Sequence, residues 1–118
     1  MNENLEIKIE EINVDKRGSI YRILFRNREF IILFTKKGYL RGGDYHKSIQ
    51  TDIILSGKIM IESPNKQKIL IEGQSITFSP YEPHYFEAIE DSLVLEWLSG
   101  PFEKKYYKPY RNKVRELM

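Results

Sequence analysis

About ten short β-prone runs, each closed by a turn signal, fill the chain as far as residue 98. No helical periodicity interrupts them. Leu5, Ile7 and Ile9 alternate with polar residues as an opening strand, and D-K-R-G at 15 to 18 is a turn. A strand from Ser19 to Phe25 follows. Beyond Asn27 and Arg28, the run E-F-I-I-L-F-T fits a strand buried on both faces. K-K-G breaks that run before a strand at 44 to 50. Further strands are expected at 52–55, 58–62, 68–72, 75–78, 84–88 and 92–98, with Ser63-Pro64-Asn65-Lys66 as a hairpin turn. Such a series predicts an all-β antiparallel barrel or sandwich. Only residues from about Lys104 onward suit a helix, and Pro109 is expected to interrupt it.

The chain has 118 residues, the size of a single domain, with the barrel expected over about 5–100 and a basic, aromatic tail over 102–118. Apolar runs such as 30–34 are far too short to cross a bilayer, which takes roughly 20 residues. The first ten residues lack a basic stretch followed by an apolar block, so a cytoplasmic location is expected. The absence of cysteine excludes disulfides, thiolate metal sites and a cysteine nucleophile. The net charge of +2 hides an asymmetry: residues 1–101 sum to −2 and residues 102–118 to +4. Tyrosines interleave with the basic residues of that tail. Because no basic patch elsewhere extends it, nucleic acid is not the expected partner, and its tyrosines are expected to dock on a sheet.

His46 and His84 are the only histidines. In a continuous strand over 44–50, Asp44, His46, Ser48 and Gln50 would share one face, and His84, Phe86 and Ala88 would share a face of a later strand. A small barrel that joined these strands would gather Asp44, His46, Gln50 and His84 in its mouth. Two chemistries suit that set. Asp44 and His46 could act as base and acid on a carbonyl compound, because imidazole titrates near neutral pH. Arg41 could then hold a phosphate, with Gly42 and Gly43 allowing close backbone approach. Alternatively His46, His84 and Asp44, with Gln50 as a weak fourth ligand, could hold iron, manganese, zinc or nickel. Asp is shorter than His and Gln is uncharged, so no cofactor and no tightly held metal are expected, with the divalent ion as the alternative.

The spacing of these residues resembles the cupins. Gly38, Asp44, His46, Gln50 and Gly57 keep every interval of the first cupin motif, with Asp44 and Gln50 where His and Glu are usual. Gly73 and His84 fall as the second motif's Gly and His do, and S-P-Y-E-P-H-Y-F-E-A is similar to its proline-rich approach. R-G-G-D-Y-H-K at 41 to 47 resembles the R-G-x-H-A-H-K signature of the nucleotide-sugar 3,4-ketoisomerases. Gln50 and Leu55-Ser56-Gly57 fit that group too, and D-K-R-G-S-I (Asp15 to Ile20) is similar to the opening of the ketoisomerases and the related dTDP-sugar epimerases.

The resemblance implies a small jelly-roll barrel of the RmlC-like kind. It puts the paired catalytic positions on Asp44 and His46, and substrate contacts on Arg41, with His84 and Gln50 beside them. The implied activity is a carbohydrate isomerase or epimerase using acid–base catalysis on a nucleotide sugar. The alternatives are a metal-binding cupin of other chemistry and a cupin that only binds a small molecule. A homodimer is expected, with the N-terminal strands and the aromatic tail as its interface.

Overall fold

A computed structural model describes residues 6–100 and 103–116. Leu5 of the expected opening strand, and Phe102, Leu117 and Met118 of the tail, lie outside the described residues. Eleven strands form two antiparallel sheets. The first runs β1 (Lys8–Asp15), β2 (Gly18–Phe25), β3 (Arg28–Thr35), β10 (Ser92–Leu98), β5 (Gln50–Ser56), β8 (Ser75–Phe78). The second runs β11 (Lys104–Tyr106), β4 (Leu40–His46), β9 (His84–Ala88), β6 (Lys58–Ser63), β7 (Lys66–Ile71). The sheets face each other as a jelly roll and do not close into one continuous barrel.

Period-2 alternation builds the core. Ile31 and Leu33 from β3, Val94 from β10 and Ile54 from β5 point inward and meet Ile59 and Ile61 of β6 and Phe86 of β9. Burying side chains of this size contributes roughly 1.5–3 kcal/mol each. The expected burial of β3 on both faces is corrected. Ile31, Leu33 and Thr35 are buried, whereas Phe30, Ile32 and Phe34 look outward and are only half-buried. The turn before β3 uses Arg26 and Asn27, both in the left-handed region (φ 50° and 63°), which matches the twist of a two-residue hairpin.

The expected continuous strand over 44–50 is also corrected. His46 ends β4 and Gln50 begins β5, so residues 47–49 form the connection between the two sheets. Ser48 leaves the site face and lies against Gly100 instead. A second irregularity sits at Gly43, where the β4–β9 register shifts between Gly42 and Asp44. Arg41 pairs with Phe86 and Asp44 with His84, which stand two residues apart on β9. The extra residue therefore turns Arg41 and Asp44 to the same face, although strict alternation would oppose them. Gly42 (φ 102°) and Gly43 (φ 84°) make this possible, because side chains rarely adopt such φ values.

The tail also departs from expectation. Pro109 opens the helix instead of breaking it: α1 spans Lys108–Glu116, and Pro109 sits in a first turn whose N–H groups have no intrahelical partner anyway. The Tyr107 amide donates to the Gly43 carbonyl (2.8 Å), and the Arg111 guanidinium donates to the Gly42 carbonyl (3.1 Å). Val114, fully buried, packs with Leu40 and Tyr85 on the outer face of the second sheet, beside Met60 and Tyr110. Tyr110 thus docks on the chain's own sheet, with Tyr107 against it, whereas Tyr106 is exposed. No described helix is long and apolar enough to cross a membrane.

Candidate functional site

A cavity of about 510 Å³ opens between the sheets. Asp44 and His46 at the end of β4, His84 at the start of β9 and Gln50 at the start of β5 all line it, as does Arg41. The sequence therefore identified a group that the fold does bring together, although a turn and a bulge unite it in place of a single strand. The ligand atoms of Asp44, His46 and His84 lie within 4.8 Å of one another.

Backbone carbonyls orient both imidazoles. His46 Nδ1 lies 3.0 Å from the Glu103 carbonyl, just before β11, and His84 Nδ1 lies 3.1 Å from the Glu82 carbonyl. A carbonyl only accepts, so each Nδ1 carries a proton and each Nε2 is the ring nitrogen turned to the cavity. Both Nε2 atoms stand 3.7 Å from Asp44 Oδ1. The His84 ring is further fixed by stacking on Phe78, with centroids 3.8 Å apart and planes at 7°. Burial lowers the pKa of His84 and favours the neutral ring, with the Asp44 charge opposing that shift. Two imidazole nitrogens and one carboxylate turned toward a common point fit a divalent cation of the first transition series. Asp44 is not too short to meet the two histidines, contrary to the expectation drawn from its length.

Gln50 has a different task. Its Nε2 donates to Asp52 Oδ1 and to Glu96 Oε1, both at 3.0 Å. Asp52 is buried, and desolvation raises its carboxyl from the ordinary value to about 7. Burial, together with the charges of Asp52 and Asp44, holds Glu96 well above the usual carboxylate range. The Gln50 Oε1 atom is buried with no hydrogen-bond partner among the described residues.

Arg41 is 3% exposed. Its Nε donates to Thr35 Oγ1 and its Nη2 to the Phe34 carbonyl, both at 3.2 Å, while Nη1 is buried without a partner. No carboxylate among the described residues forms an ion pair with it. Burial and the nearby Arg17 charge lower its pKa to about 10. Arg17, also buried on the cavity wall, is held by Asp15 through contacts of 2.8–3.3 Å. The cavity wall therefore carries imidazoles, carboxylates and guanidinium groups together.

The sequence reading missed Asp52, Glu96 and Arg17. Asp52 follows Gln50 by two residues, and Glu96 interrupts the apolar run of β10 at an inward position. Charged residues at core parity were the available signal.

No family model matches the sequence, and no curated protein matches it. Solved structures do. KdgF from Halomonas sp. superposes with a TM-score of 0.66 at 17% identity, over 75% of this chain and 85% of that one. The capsular polysaccharide assembling protein CapF from Staphylococcus aureus gives a TM-score of 0.66 at 19% identity, over 84% of this chain but only 34% of CapF. An RmlC-like cupin from Shewanella frigidimarina NCIMB 400 gives 0.61 at 17% identity, over 86% of this chain and 91% of that one. The two facing sheets, the cavity between them and these neighbours agree: the chain has the RmlC-like cupin fold.

Proposed function

We propose that this protein is a metal-binding cupin that takes a small anionic, hydroxyl-rich ligand of the carbohydrate class into its cavity. The observation that carries the proposal is the convergence of His46 Nε2, His84 Nε2 and Asp44 Oδ1, with both Nδ1 atoms turned away onto backbone carbonyls. Asp44, His46 and His84 would hold the ion. When bound, iron, manganese, zinc or nickel supplies a Lewis acid for a ligand oxygen. Arg41, a buried cation with an unused N–H, is suited to an anionic group of the same ligand. The Gln50 oxygen is suited to accept from a ligand hydroxyl. The resemblance of residues 41–47 to the ketoisomerase signature supports the carbohydrate class, as does the structural likeness to CapF.

A second reading rests on the same 3.7 Å approach of Asp44 to His46. Without metal, His46 would transfer a proton at the carbon beside a sugar carbonyl, Asp44 would orient it, and the chain would be a nucleotide-sugar isomerase or epimerase. Metal analysis of protein purified without chelator separates the two readings, combined with deuterium uptake from solvent into a panel of 4-oxo nucleotide sugars. One ion per chain, lost in His46→Ala and His84→Ala, is the expected result. No ion, together with uptake that survives chelator, would replace the metal reading with the isomerase. No ion and no uptake, with ligands still raising the melting temperature, would leave a binding protein.

A further inference from the structure

The C-terminal segment reaches the cavity as well as the outer face of the second sheet. Directly opposed residues of an antiparallel pair share one face. β11 sets Lys104 opposite His46 and Lys105 opposite Tyr45. Lys104 therefore turns to the cavity side with His46 and lines the cavity, whereas Lys105 turns outward. Arg111 of α1 lines the same cavity. Its Nη1 donates to the Gly42 carbonyl at 3.1 Å, and its Cζ lies 4.5 Å from the centre of the Tyr106 ring. Lys104 Nζ lies 5.5 Å from that same centre, so one exposed ring carries both cations. No carboxylate among the described residues forms an ion pair with either. Arg17 and Arg22, also on the cavity wall, are instead matched by Asp15 and Glu29. The Lys104 charge opposes the rise in the Glu96 pKa, yet burial keeps that carboxyl protonated, so Glu96 gives Lys104 no counter-charge.

We propose that Lys104 and Arg111 form a phosphate subsite at the rim of the cavity, and that the ligand is a phosphorylated sugar acid. The inference rests on the carbohydrate ligand class proposed for the cavity and does not require the metal. A guanidinium fork beside an ammonium point charge is a donor pair suited to phosphate. A phosphate monoester carries roughly two negative charges at neutral pH and so matches two cations. Depth separates this subsite from Arg41. Arg41 is 3% exposed on the inner wall, whereas Lys104 is exposed. A doubly charged phosphate is costly to strip of water, so the exposed rim suits it, and the buried guanidinium suits a singly charged carboxylate. One ligand with a carboxylate inside and a phosphate at the rim satisfies all three cations.

Calorimetric titration at low ionic strength with 6-phosphogluconate and with gluconate tests the subsite. The full chain should bind the phosphorylated acid at least about tenfold more tightly, and added salt should shrink that advantage. Lys104→Met should cut the preference to less than about threefold, and Lys104→Arg should restore it. Arg111→Gln, which keeps an N–H for the Gly42 carbonyl, should lower it as well. Lys105→Met removes the same charge from the outward side of the same strand and should keep the full preference. Equal affinity for the two acids overturns the inference, as does failure of both to bind. So does a preference that survives Lys104→Met, or one lost equally in Lys105→Met, because net charge alone would then explain it. A phosphate preference lost in Lys104→Met, in protein that takes up no Mn²⁺, would uphold this subsite while removing the metal reading.

Discussion

Glu103 and Glu82 each turn an imidazole by offering a backbone carbonyl, so the cavity receives two Nε2 atoms, each 3.7 Å from Asp44 Oδ1. His84→Ala should weaken the affinity for a divalent ion by at least about 100-fold, because it removes a donor outright. Gln50 explains itself at the same scale. Two inward carboxylates, Asp52 and Glu96, flank its amide, whose two N–H groups donate to both. Gln50→Glu would restore the residue usual in metal cupins, yet should destabilise the fold by roughly 2–4 kcal/mol at pH 8. Urea melts should show this loss shrinking at pH 5, where the carboxyls take up protons. A variant as stable as the wild type at pH 8 would show that the amide is not needed. Arg41 has the opposite profile. A buried guanidinium without a carboxylate partner does little for stability, so Arg41→Met should leave the melting temperature within a few degrees of the wild type or raise it. The same change should weaken binding of an anionic ligand by roughly 1.5–3 kcal/mol, as calorimetric titration would measure.

At the scale of elements, β4 is the strand on which the site depends, and Gly43 sets its parity. An added Cβ at Gly43 would stand 2.8 Å from the backbone of Arg111, and the residue has φ 84°. Gly43→Ala should cost roughly 2–4 kcal/mol, combining backbone strain with displacement of α1. Hydrogen exchange in 108–116 should rise more than in β5 or β10. Uniform exchange across the chain would contradict the link between bulge and helix. The strand positions were legible in the sequence because one-sided burial writes apolar residues at every second position, as in S-I-T-F of β8, where Ile76 and Phe78 are buried. The site residues were legible for a different reason, the intervals between Gly38, His46, Gln50, Gly57 and His84. The break at 47–49 and the bulge at Gly43 were not legible. Both conserve the inward direction of Asp44, His46 and Gln50, so a continuous strand predicts the same cluster. Pro109 was misread because a proline stops a helix in its interior but fits its first turn.

At the scale of the whole molecule, the two sheets enclose charges that tie stability to pH. Asp52 has its carboxyl raised to about 7 by burial, while in the unfolded chain it titrates at its ordinary value near 3.8. Below that value both states hold the proton and the burial is harmless. Between about pH 4 and 7 only the unfolded chain releases it, so stability falls as pH rises, by roughly 2–4 kcal/mol. Asp15 acts with the opposite sign. Its hydrogen bonds to Arg17 hold its carboxyl well below the usual range, so it contributes stability above pH 4 that is lost in acid. Glu96, raised in the same way, adds to this decline and the lowered His84 opposes it, so Asp52→Asn should reduce the decline toward pH 8 in thermal melts without abolishing it. An unchanged decline would assign it to other groups. The same enclosure makes the cavity a candidate metal centre, and calorimetric titration of chelator-stripped protein with Mn²⁺ or Zn²⁺ tests that claim most directly. The account predicts one site per chain, abolished by His46→Ala, His84→Ala or Asp44→Ala and retained in Arg41→Met. Absence of binding, or binding that survives loss of either histidine, would contradict it.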